Sequence, residues 1–167
     1  MTDIPAAEVL RELARQVRGA TLRGLQATPD EWLTWAPPGT ANHILWHAGH
    51  ALWLQDLLCI RLLTGQGELP PGWSETFGAS CRPPQQTSDW VSGAELAGRL
   101  QSQLERILEL LSATSDRQLA QVADPTRGTA TVAARIIHGF HDEAKHSGEM
   151  YLLWKLCRTR TAELKKW

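Results

Sequence analysis

Apolar positions recur at helical spacing in four long stretches of this chain. From about Pro5 to Gln26, Val9, Leu10, Leu13, Val17, Leu22 and Leu25 form one stripe of an amphipathic helix. Pro5 falls in its first turn, where a missing N–H costs nothing. Thr28-Pro29-Asp30-Glu31 has the form of a capping box. It predicts a short helix carrying Trp32 and Trp35, stopped by Pro37-Pro38-Gly39. A second long helix is predicted from about Ala41 to Leu63, with Thr40 as N-cap and Gly65 as stop. From 64 to 89 the periodicity breaks. Pro70, Pro71, Pro83 and Pro84 punctuate a long connection, read as a lid or a crossover, that Trp73 and Phe77 make too apolar for a simple linker.

Ser92-Gly93-Ala94-Glu95 predicts another capped start, and Leu96, Leu100, Leu104, Ile107, Leu108 and Leu111 follow as a third stripe. On that helix Arg99, Gln103, Arg106 and Glu109 read as a solvated face. Residues 112–128 form a polar connection with Leu119 and Val122, ending in a turn at Asp124-Pro125-Thr126-Arg127-Gly128. Thr129 is the expected cap of a fourth helix reaching about Arg158. With no strand pattern and no internal repeat, the fold class is all-α. It is a four-helix bundle, one domain over residues 1–167, with one short extra helix and a long crossover loop. Trp46, Trp53 and Trp154, on the second and fourth helices, are expected in the core.

Composition adds little to this picture. Charged residues are 21% of 167 and the formal net charge is −1, so nothing favours nucleic acid or an anionic membrane as partner. No apolar run nears the roughly 20 residues that span a bilayer. The N-terminus lacks a basic region followed by an apolar one. Cys59, Cys81 and Cys157 are three and scattered, which fits a reducing compartment better than a disulfide framework. The expected location is cytoplasmic.

The chemistry concentrates in two places. HGFHDEAKHSGE, from His138 to Glu149, lies inside the fourth helix. There His138, Asp142 and His146 share a stripe, each about 40° from the last, so Asp142 and His146 point the same way and suit two ligands of one ion. His141 and His146 point about 140° apart and cannot chelate together on a regular helix. Glu143, about 100° from Asp142, reads as solvated. The second helix carries His43, His47 and His50 on one stripe that continues through Leu54.

GTANHILWHAGHALWLQDLL together with HDEAKHSGEMYLLWKL resembles the DinB-like (YfiT-like) metalloenzyme superfamily of small four-helix bundles. The resemblance implies one metal-ligating His from the second helix and an HxxxH pair on the last. The WHAGH run is also similar to the iron-binding domain of sulfoxide synthases, where the His after the Gly is the ligand. This implies His50, with His47 as second choice. On the last helix His146 matches the second His of the pair, and Asp142 stands where the first would be. The implied ligand set is therefore His50, Asp142 and His146, holding one divalent ion (Zn, Ni or Fe), because two imidazoles and a carboxylate accept any of these. Glu149, three residues after His146, is the candidate catalytic group, orienting a ligand or accepting a proton. The resemblance further implies a homodimer and a hydrolase or thiol-related transferase acting on a small molecule. The other class to weigh is a non-catalytic metal-binding or stress-response bundle.

Overall fold

The computed structural model describes residues 4–79 and 90–164, with side chains to Thr161. Cys81, Pro83 and Pro84 lie outside the described residues. Among the described residues the α-helices are α1 (Ala6–Gln26), α2 (Ile44–Gln55), α3 (Arg61–Thr64), α4 (Trp73–Phe77), α5 (Gly93–Ala113), α6 (Asp116–Leu119) and α7 (Val132–Leu164). A π turn at Asp56–Ile60 joins α2 to α3, so the two are one rod. Among the described residues the only β pairing is an isolated bridge between Val122 and Thr131. The all-α bundle expected from the sequence is therefore the fold.

Side-chain pairs give the helix directions. Arg18 meets Glu143, and Gly24 faces Met150, so α1 and α7 are parallel. Arg18 reaches Gln103, while Leu25 lies by Gly93, so α5 is antiparallel to α1. His47 faces His146 and Leu58 faces Gly139, so α2 is antiparallel to α7. The order is up, down, down, up. Such a bundle needs one long crossover, between α3 and α5, in the connection where the sequence broke its periodicity.

Helix ends show how the local chemistry was resolved. His43, not Thr40, caps α2: its Nδ1 accepts the Trp46 N–H at 3.1 Å. The cap is filled by an imidazole because His43 is buried and extended, and the helix starts only at Ile44. Thr28 caps nothing; its hydroxyl donates to the Gly24 carbonyl, and only a 3₁₀ turn follows at Asp30–Trp32. Ser92 accepts the Glu95 N–H, but the Glu95 carboxylate pairs with Arg99 instead of closing the box. Thr131 rather than Thr129 accepts from the first turn of α7. Gly65 ends α3 with φ 87°, as its place in the sequence requires. The complete capping box is at Ser115 and Gln118, opening α6, which is too short to show periodicity.

The core is two apolar clusters with a polar layer between them. One gathers Leu25, Ile44, Leu52, Phe77, Leu96 and Met150 at one end. The other gathers Leu10, Val17, Ile60, Ile107, Leu111 and Phe140. Between them each long helix contributes a buried polar side chain: Arg18 and Thr21 from α1, Gln55 from α2, Gln103 from α5 and Glu143 from α7. Arg18 Nε lies 2.8 Å from Glu143 Oε1, and Arg18 Nη2 donates to Glu143 Oε2 at 3.1 Å and to Gln103 Oε1 at 2.9 Å. Thr21 donates to Glu143 at 2.9 Å, and Gln103 donates to the Leu52 carbonyl. Glu143 and Gln103, read from the sequence as solvated, are thus interior groups; each finds its partner on another helix. Val9, assigned to the buried stripe of α1, is exposed. Of the three tryptophans expected in the core, Trp46 is buried, whereas Trp53 and Trp154 are half-buried.

Candidate metal centre

The first turns of α2 face the middle of α7, at the bundle end that also holds α4. The antiparallel packing brings His47 against His146 and Glu149. His47 Nδ1 and His146 Nδ1 are 2.9 Å apart, His146 Nδ1 and Glu149 Oε2 are 3.0 Å apart, and His47 Nδ1 and Glu149 Oε2 are 3.2 Å apart. These three residues form a cluster of metal-donor atoms. His47 is buried, His146 partly so, and Glu149 is 55% exposed.

While the Glu149 carboxylate is ionised, no placement of protons on the two imidazoles satisfies this triangle. Each ring nitrogen carries at most one proton, and the carboxylate carries none when ionised. With both nitrogens protonated the two N–H groups oppose each other. With one protonated, the bare nitrogen faces the carboxylate. With none, every pair is a contact of lone pairs. A cation in the middle removes the conflict. Four donors set tetrahedrally at about 2.0–2.1 Å from zinc lie about 3.3 Å apart, close to the spacings found here. Burial, helped by the neighbouring His146 and His50, pushes the His47 imidazole down to about 3, so it is neutral at neutral pH, the form that ligates.

His50, one turn on, has its ring centroid 4.6 Å from that of His146. Its Nδ1 lies 2.5 Å from the Phe77 carbonyl, which can only accept, so Nδ1 carries the proton and Nε2 keeps its lone pair. Burial pushes this imidazole down to about 4. A backbone carbonyl behind a histidine is the usual support of a ligating ring. The whole of α4 serves this arrangement. Trp46 Nε1 donates to the Thr76 carbonyl, Trp73 Nε1 donates to the Gly49 carbonyl, and the Phe77 ring lies where a Cβ on residue 49 would be. Gly49 in WHAGH is therefore required by the approach of Phe77.

Asp142, the remaining member of the sequence-derived set, belongs to a different group. Its Oδ1 accepts from Lys145 Nζ at 2.6 Å, and its Oδ2 lies 3.5 Å from His138 Nε2. The Lys145 hydrogen bond holds its carboxyl below the usual carboxylate range. His141 is exposed. His47 and Glu149 were each visible in the sequence, but their meeting with His146 depends on the register of α2 against α7. Neither described thiol takes part: Cys59 is buried in the far cluster, where desolvation pushes it up to about 12, and Cys157 is also raised.

A family model described as the DinB superfamily matches residues 13–150, and the chain belongs to that superfamily. Among solved structures, that of a conserved protein from Enterococcus faecalis is similar, with TM-score 0.69 over 92% of this chain and 98% of that one. The two are 19% identical, so the likeness is one of fold. No curated protein matches the chain. Among the described residues no helix is long and apolar enough to cross a membrane.

Proposed function

We propose that this chain is a metal-dependent enzyme of the DinB superfamily, holding one divalent ion with His47, His146 and Glu149 and with His50 Nε2 as a further donor. The observation that carries the reading is the triangle of donor atoms, whose spacing suits an ion and which no placement of protons on the imidazoles relieves while the carboxylate is ionised. Two or three imidazoles with one carboxylate suit zinc, nickel or iron. The ion, when bound, supplies Lewis acidity toward an electron-rich atom of a small-molecule substrate. The residues do the rest. The Phe77 carbonyl fixes the His50 ring and its tautomer. Trp46, stacked on His50 with centroids 4.6 Å apart, keeps water from that side. Glu149, the most exposed of the four, stands where substrate enters and can take a proton there.

The test is a panel of alanine variants titrated with Zn²⁺, Ni²⁺ and Fe²⁺ by calorimetry. His47→Ala and His146→Ala are expected to lose at least a hundredfold in affinity, and Glu149→Ala about tenfold or more. Asp142→Ala is expected to bind as wild type. Loss in Asp142→Ala with binding kept in His47→Ala would instead support His50, Asp142 and His146 as the set. A wild-type protein that binds none of the ions at micromolar concentration would sink the reading. A bound ion with every coordination position filled by protein would favour storage over catalysis.

A further inference from the structure

We propose that the cleft beside the donor triangle takes a small molecule whose uncharged apolar arm lies along Leu152 and Leu156. The head of that molecule rests on the metal reading above; the arm does not. The cleft has a volume of about 730 Å³, within the range of small-molecule sites. His47 and Glu149 form one end, Leu152, Leu153 and Leu156 one wall, and the turn at 37–42 the other. Along α7 the wall succeeds Glu149 at steps of three or four residues, so donor and leucines share one stripe. From Glu149 to Leu156 that stripe is about 10 Å long.

Two observations set the chemistry of the arm. Leu152 and Leu156 are 54% and 40% exposed, side by side on one wall, which is where an apolar ligand gains most by covering them. Among the described residues no Lys or Arg lines the cleft, and the one acid there is Glu149. Arg160 is a turn beyond Leu156, and its guanidinium lies over the Trp35 ring, 5.6 Å from the centroid. In the ion-free protein an anionic group in the cleft would meet the Glu149 carboxylate with no Lys or Arg among the described lining residues to answer it. An uncharged arm meets leucine.

The arm is tested first without any ion. Ion-free protein with assigned leucine methyls is titrated by NMR with hexanamide, hexanoate and acetamide. Hexanamide is expected to shift the Leu152, Leu153 and Leu156 methyls saturably, hexanoate several-fold more weakly, and acetamide not at all. A Leu152→Asp, Leu156→Asp variant, altered only at exposed positions, should lose the response while keeping its circular dichroism spectrum. Zn²⁺-loaded protein is then offered hydroxamic acids from acetohydroxamic to octanohydroxamic, and affinity should rise about two- to fourfold per added methylene. A flat series, hexanoate binding as well as hexanamide, or silent leucine methyls would overturn the proposal. So would methyl shifts that change with protein concentration alone, because a second copy would then be covering the wall. If the protein takes up no ion, the metal reading fails while the hexanamide titration still decides the arm.

Discussion

His43 is a titratable group used as a helix cap, and this makes the start of α2 sensitive to acid. Its Nδ1 accepts the Trp46 N–H, and burial pushes its imidazole down to about 4 from 6.5. Between these values the unfolded chain binds the proton and the folded one does not, so stability rises with pH across that window and falls as pH drops below 6.5. The full effect is on the order of 3 kcal/mol. His47 and His50 are also depressed and act in the same direction. Asn is a good cap that does not titrate. In ion-free protein, His43→Asn is expected to keep most of the stability at pH 7 and to lose part of the slope between pH 6.5 and 4, measured by urea unfolding. A slope unchanged by the substitution would put the acid sensitivity elsewhere. The sequence showed His43 in phase with His47 and His50, and it was read as part of a helix. Phase could not reveal that the helix starts one residue later, nor which ring nitrogen each histidine offers. That is decided by the Trp46 N–H and the Phe77 carbonyl, which come from other turns of the chain.

Among the elements, α1 and α7 are joined by the Arg18–Glu143 pair. Taking one charge away leaves the other buried without its partner, a loss of about 3–5 kcal/mol in comparable cases. Glu143→Ala is therefore expected to lower the unfolding free energy by that order, and Arg18→Met, Glu143→Leu together to cost less than Glu143→Ala alone. Chemical denaturation of the three proteins decides it; a double variant weaker than Glu143→Ala would contradict the argument. This layer was not legible in the sequence. Gln103 and Glu143 sit on helices whose other polar residues are solvated, and their partner Arg18 is 85 and 125 positions away. The long helices were legible because each carries several apolar residues on one stripe. The turns α4 and α6 are too short to have a stripe, although Trp73 and Phe77 already marked their segment as one that packs.

For the molecule as a whole, an ion at the α2–α7 interface would bind the folded chain and not the unfolded one. Free ion at a hundred times its dissociation constant would then add about 2.7 kcal/mol of stability. Thermal unfolding of wild type with and without Zn²⁺ is expected to show a rise of several degrees, which His146→Ala abolishes. A similar rise in His146→Ala would place the ion at another site. The gain would fall mostly on the bundle end that holds Leu52, Phe77 and Met150, since the donors sit among those side chains. Ion-induced protection from hydrogen exchange should accordingly be larger in the first turns of α2 than around Ile107 and Leu111.

The π turn at Asp56–Ile60 acts as a phase shifter. A π turn takes up one residue more than an α turn. The half of the rod that carries the histidines and the half that carries Cys59 and Ile60 are therefore offset by about 100° from an unbroken repeat. Both halves face inward only because of that offset. Deleting the exposed Leu57 would restore the regular winding and swing one half away from α7. With Cys59 and Ile60 anchored in the far cluster, the half that swings is the one bearing His47 and His50. Such a deletion is expected to leave the helical circular dichroism nearly intact and to abolish ion uptake; full uptake would show that the rod can rewind elsewhere. One surplus residue, sited well over a turn from either imidazole, aims them both.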